Sequence, residues 1–243
     1  MKIESPKSKR LKEILKYSDL KSLRLEVEDI KVNWYNDFKR IFYHEIGHGI
    51  VISYFGNRVN SIKVKPFHNY GEIRYNLFST PKYSVYSDII SLGGIFSYYL
   101  NENIHKFGIN DDIKSIIDNY NVNSIYDLKF KLIRKVINDS RVDKILEIIL
   151  DESLDYIIKS LNDYHNVEDF IYYLKLIISY LLNVFDNNLE LIKENFVNEE
   201  YFSKIKMKLD FNYIYELSNY NGNEFIESIN KCSFNKKEIN YEF

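Results

Sequence analysis

The stretch "RIFYHEIGHGIVISYFG", residues 40–56, decides how this chain folds. His44 and His48 stand four apart, with Glu45 directly after the first, in a run that is otherwise aromatic and aliphatic. Counting outward, Trp34, Phe38, Ile41, Phe42, Ile46, Ile50 and Phe55 recur at the helical period. That spacing predicts a helix of about five to six turns from Val32, with Gly56-Asn57 as its stop. Side chains at i and i+4 lie one above the other on a helix, so the two imidazoles can present nitrogens to one ion. Zinc (Zn2+) suits such a pair, because imidazole is a good ligand for it and a tetrahedral site can keep one position open. Glu45 stands beside the ion without having to ligate it, the place of a general base acting on water. Gly47 and Gly49 each weaken a helix interior by about 1 kcal/mol relative to Ala, which implies a close approach to that backbone.

The 243 residues are 45% hydrophobic, enough to bury one good core, so disorder is not the default. A formal charge of -2 supplies no basic field for nucleic acid or an anionic membrane. Cys232 is the single cysteine, which excludes an internal disulfide and fits a reducing, cytoplasmic setting. The start, "MKIESPKSKRLKEIL", lacks the apolar segment of a secretory signal, and the expectation is a mature chain beginning near Met1. "FIYYLKLIISYLLNVF" (170–185) is interrupted by Lys175 and Asn183 and falls short of the roughly 20 apolar residues of a membrane span. It reads as a buried core helix. Ala and Gln are absent while Ile, Asn, Lys and Tyr abound, which looks like an AT-rich coding bias.

Residues 1–31 are charged and weakly periodic, a helical lead-in. Beyond the histidine helix, "VNSIKVKPF" and "HNYGEIRYNLF" read as two strands joined by a turn at residues 68–71, with Pro66 at an edge or strand end. Helical spacing resumes after Pro81 and dominates from Asn110 onward. Breaks are expected near 108–111, 120–124, 139–141, 164–167, 186 and 197–200. The predicted class is α+β, mostly α: a zincin-like helix with a small two- or three-stranded sheet, then a helical C-terminal half. Residues 32–243 form one expected domain, with a metal-site core at about 32–120 and a helical extension at about 121–243.

The motif residues resemble a known family. "YHEIGHGIVISYF" looks like the His-Glu-Ala-Gly-His helix of FtsH-type ATP-dependent zinc metalloproteases. "VNSIKVKPFHNYGEIRYN" is similar to that family's Val-rich strand, Pro and Gly-led strand; "SLGGIFSYYL" and "GINDDIKSI" resemble its Leu-Gly-Gly helix and its Asn-Asp-Leu stretch. The resemblance covers about residues 34–117. It implies His44, His48 and Asp112 as zinc ligands and Glu45 as catalytic base. Tyr98 and Tyr99 stand where the family carries acids, and nothing here matches a P-loop or a membrane anchor.

Asp112 has apolar neighbours at Ile113, Ile116, Ile117 and Tyr120, which would pack its helix inward and leave the acid at the edge of that face. Asp111 and Asp112 also suit a helix N-terminus electrostatically. Asp127 competes as third ligand, although Ser124 and Asp127 fit a capping box; Glu72 competes too, but on a strand. His68 and His105 have no partner at ligand spacing. The leading expectation is a zinc endopeptidase acting on unfolded, flexible or partner-delivered protein, with a separate ATPase or regulatory partner, and without nucleic acid or membrane insertion. An edge strand beside the metal helix would take the substrate backbone by strand addition. The rivals are a regulatory zinc protease of the ImmA/IrrE kind, with its third ligand nearer the motif, and a helical interaction protein with a vestigial zinc site.

Overall fold

A computed structural model describes residues 20–76, 85–101, 106–121, 123–131, 139–161, 166–196, 199–208 and 220–236. The first 19 residues of the expected lead-in, and His105, lie outside them. Helix α1 spans Leu20–Tyr54 and carries the histidine motif. It begins twelve residues before the expected Val32, because no Gly, Pro or capping signal interrupts "LKSLRLEVEDIK", whose residues are mostly good helix formers. The boundary expected at 31/32 therefore falls inside one continuous helix. Its stop is as read: Gly56 has φ +79°, its amide donates to the Ser53 carbonyl and the Asn57 amide to the Ile52 carbonyl, the pattern of a Schellman turn.

Strand β1 (Arg58–Lys65) pairs antiparallel with β2 (Tyr70–Asn76), with Ile62 opposite Ile73 and Val64 opposite Gly71. Pro66 lies just past the end of β1 and opens a 3-10 turn that Asn69 closes at φ 49°. Helix α2 (Val85–Gly93) follows, then a 3-10 turn over Gly94–Ser97 and the short α3 (Tyr98–Asn101). Among the described residues six helices follow: α4 (Ile109–Asn119), α5 (Ser124–Lys131), α6 (Ser140–Ser160), α7 (Val167–Asn187), α8 (Leu189–Phe196) and α9 (Glu199–Lys208). The side chains of Asp139 and Asn166 cap α6 and α7 by accepting the amides two residues on, close to the expected breaks. Near its end the chain makes β3 (Tyr220–Asn221) and α10 (Asn223–Lys231). The sheet order is β2-β1-β3, three strands, and the third comes from within the half expected to be nearly all helix. Two residues paired across more than 150 positions leave no alternation to read.

Residues 41–52 of α1 are buried on every side, which makes α1 the central rod of the fold. One face stacks Trp34, Phe38 and Phe42; Phe38 and Phe42 meet Phe202 of α9, and Phe42 also meets Phe225 of α10. The opposite face meets α2, the Gly94 turn and, through His44, the residues leading into α4. The 170–185 run lies within α7 and is largely buried. Among the described residues no helix is long and apolar enough to cross a membrane. The extension also closes on the core: Ser53 Oγ donates to the Ile229 carbonyl at 2.8 Å, and the Asn230 amide bonds both the N–H and C=O of Val59 at 2.9 Å.

Candidate metal centre

Helix geometry puts His44, Glu45 and His48 on the buried part of α1, and packing brings a third acid to them. His44 Nε2 lies 3.0 Å from His48 Nε2. Each faces a different oxygen of Asp112: His44 Nε2 is 3.5 Å from Oδ2 and His48 Nε2 3.5 Å from Oδ1. Among the described residues, His44, His48 and Asp112 are the one group of such side chains arranged to hold a metal ion, and all three are buried. Asp112 does not sit at the edge of the apolar face of α4. With Ile109, Ile113 and Ile116 it forms the buried stripe itself, so the packing that drives α4 inward also carries the carboxylate to the histidines.

His48 Nδ1 is 2.8 Å from the Ile90 carbonyl, and an N–H donated there leaves the Nε2 lone pair facing Asp112. The Gly94 amide, 3.2 Å from the same Nδ1, then has no lone pair to use. Asp112 Oδ2 is buried without a hydrogen-bond partner. Acceptors converging in a buried site are unfavourable unless a proton or a cation lies between them. Glycines wall the cluster. A Cβ on Gly94 would lie 2.4 Å from His44 Cε1 and 2.6 Å from His48 Nε2; on Gly108, 2.5 Å from His44; on Gly71, 2.2 Å from Glu45 Oε1. Gly108 has φ +75°, which lets α4 start against the His44 ring. The close approach implied by Gly47 is the Gly93–Gly94 backbone, since a Cβ there would meet the Gly93 carbonyl oxygen at 2.5 Å. Gly49 lies under the side chains of Ile229 and Ile73.

Burial dominates the electrostatics. It lifts Asp112 well above the usual carboxylate range, with the Glu45 and Asp111 charges adding to it. Burial and then the Glu72 charge push Glu45 up to about 8. Burial pulls His48 down to about 4, against the Ile90 carbonyl. A bound cation acts in the opposite sense on both acids, favouring their ionised forms.

The cluster opens into a cleft of about 290 Å³. Gly71, Ile73 and Tyr75 of β2 line it, as do Ile90 of α2, Asp111 of α4 and Phe107. Glu72 stays on its strand, paired with Arg74, and Asp127 in the first turn of α5 is not in the cluster. The Ser124 hydroxyl accepts the amide of Asn121, and the Asp127 amide donates to the Asn123 carbonyl at 2.8 Å. His68 is exposed in the 3-10 turn, and Tyr99 joins the Arg141–Asp186 ion pair. Glycines 71, 94 and 108 as walls of the site were not legible from spacing; their signal is a missing side chain, which has meaning only beside its neighbour. No protein-family model, curated protein or solved structure matches the chain.

Proposed function

We propose that this chain is a zinc-dependent endopeptidase with an FtsH-like peptidase core, hydrolysing peptide bonds in unfolded or flexible protein segments. The observation that carries the reading is the buried meeting of His44, His48 and an Asp112 whose Oδ2 has no partner. Ligands about 2.0–2.2 Å from a tetrahedral zinc stand about 3.3–3.6 Å from one another. The separations of 3.0, 3.5 and 3.5 Å lie close to that edge. Zinc held by these three residues would supply a Lewis acid for the peptide carbonyl and a lowered pKa for water.

The remaining steps belong to the chain. Glu45 takes a proton from the attacking water and returns it to the departing amine, and its buried position keeps the carboxylate from solvent. The Gly222 amide donates to the Ile62 carbonyl, so Ile62 and Val64 turn their backbone groups toward β3, and Lys63 and Lys65 theirs toward β2. By the same alternation Gly71, Ile73 and Tyr75 turn theirs to the outer edge of β2, where a substrate strand can pair. Unfolding, where a substrate needs it, would come from a separate ATPase or other partner, in a cytoplasmic setting.

Elemental analysis after dialysis against metal-free buffer is expected to find zinc equimolar with the chain. Glu45→Gln is expected to keep that zinc and lose cleavage of unfolded protein by about 10²- to 10⁴-fold. Undiminished cleavage in Glu45→Gln, or a wild type that takes up no zinc, would sink the proposal.

A further inference from the structure

We infer that Arg40, which lies behind the cleft lining in contact with Asn69 and Phe107, forms a subsite for a substrate carboxylate two or three residues to the C-terminal side of the bond that is cut; this rests on the peptidase reading above. Arg40 precedes His44 by one turn of α1. Its Nη2 donates to Asn69 Oδ1 at 2.5 Å and to Asp37 Oδ1 at 3.2 Å. Its guanidinium carbon lies 4.8 Å from the centre of the Phe107 ring, and that ring is 5.1 Å from the His44 ring, edge to face. Asn69 and Phe107 both line the cleft. These contacts use Nη2 and the face of the guanidinium. Nε and Nη1 have no hydrogen-bond partner among the described residues, and the side chain is 28% exposed. Lys65 adds a second cation at this end, 5.5 Å from the Tyr70 ring.

Glu45, Asp111 and Asp112 line the same cleft, with the Glu45 carboxylate against Gly71. Glu72 is held by Arg74 and Asp37 engages one nitrogen of Arg40, which leaves the rest of the guanidinium, with Lys65 nearby, to meet a substrate carboxylate. Direction comes from the sheet. A strand added to β2 in the antiparallel sense that β1 already uses runs from Tyr75 toward Gly71, so its C-terminal side arrives at Asn69 and Arg40. The two ring steps, end to end, hold Arg40 within about 10 Å of His44, and a strand advances about 3.3 Å per residue. A free chain end or an Asp or Glu side chain supplies the same anion, and the planar fork of Arg40 suits it.

The test uses the full chain, zinc-loaded and carrying Glu45→Gln so that peptides bind without turnover. One fluorescent extended peptide is made with a free or an amidated C-terminus, and with Glu or Gln at the last three positions; binding is read by anisotropy. Either carboxylate is expected to bind about tenfold tighter than the amidated Gln form, the scale of one charge-assisted hydrogen bond. Arg40→Gln is expected to abolish that discrimination, and Arg40→Lys to keep part of it. If Arg40→Gln fails to fold, partial loss in Arg40→Lys decides the matter. A stronger effect of the free terminus identifies the chain end as the anion, and a stronger effect of Glu identifies a side chain. Equal binding of all forms, or full discrimination in Arg40→Gln, overturns the subsite. Cleavage by the wild type without discrimination removes the subsite and leaves the peptidase. Discrimination through Arg40 in a wild type that cuts none of the peptides removes the peptidase and leaves the carboxylate site.

Discussion

Asp88 on α2 and Asp112 on α4 are two aspartates in the same core, 2% and 8% exposed, and burial lifts the pKa of both. They differ in their partners. The Tyr173 hydroxyl donates to one oxygen of Asp88 at 2.6 Å and the Asn119 amide to the other at 3.2 Å, so both of its oxygens are supplied. Asp112 has an oxygen with no donor and two imidazole nitrogens at 3.5 Å. A buried acid closed by hydroxyl and amide donors joins helices, here α2, α4 and α7. One left open beside two histidines is shaped to be a ligand. The contrast teaches that burial and a raised pKa do not by themselves mark a site; the unmet acceptor does.

The largest expected effect separates the two residues by metal. A ligand present at a thousand times its Kd, and bound only by the folded state, adds about 4 kcal/mol of stability. Zinc at that level should raise the urea midpoint of the wild type against a chelated sample. Asp112→Ala should lose that increment and Asp88→Asn should keep it. Equal loss in both variants would erase the distinction drawn between them.

Next in size is a pH effect that belongs to Asp88. Its folded pKa, about 6, stands above the ordinary 3.8, so the protonated acid is the form the fold prefers. The stability it contributes is complete below about pH 3.8, is lost as pH rises through about 6, and is flat beyond. A shift of that size corresponds to about 3 kcal/mol in order of magnitude. Asp88→Asn can keep both hydrogen bonds if the Asn119 amide turns over, and it cannot ionise. It should match the wild type near pH 4 and exceed it by up to about 3 kcal/mol at pH 8, measured by urea unfolding across that range. A parallel pH dependence in the two proteins would show that Asp88 stays protonated or finds solvent.

What could be read from the sequence follows the range of the physics. The histidine helix, its Gly56 stop, the β1–β2 pair and the breaks before α6 and α7 rest on periodicity and caps within a few residues, and all are present. His44, Glu45 and His48 share one helix, so their grouping was legible too. Asp112 stands 64 positions beyond His48, and only a resemblance pointed to it; its own spacing suggested the edge of a stripe that it in fact completes. The start of α1 at Leu20 was missed because charged, weakly periodic helices carry little signal. β3 and the walls at Gly71, Gly94 and Gly108 exist only through tertiary neighbours. Asp88 was not singled out, since nothing near it in sequence announces Tyr173 or Asn119.

The smallest of these effects tests the closed half of the comparison. Tyr173→Phe removes the hydroxyl from Asp88 and leaves the ring, which packs against Tyr120. A hydrogen bond to a charged group contributes about 1.5–3 kcal/mol, against about 1 kcal/mol for a neutral one. The expected loss is therefore about 2 kcal/mol at pH 8, where Asp88 is ionised, and nearer 1 kcal/mol at pH 4, where it is protonated. The Tyr173 bond also holds the Asp88 pKa down against burial, so its removal should carry the fall in stability to higher pH than in the wild type. Placed on Asp88→Asn, the same change should cost only the neutral increment at every pH, because no charge remains for the hydroxyl to meet. Zinc uptake should be untouched throughout, since Asp88 is not in the His44, His48, Asp112 cluster. Coupling between Tyr173→Phe and zinc content would show that the two aspartates act as one network and that α2 transmits the state of one to the other.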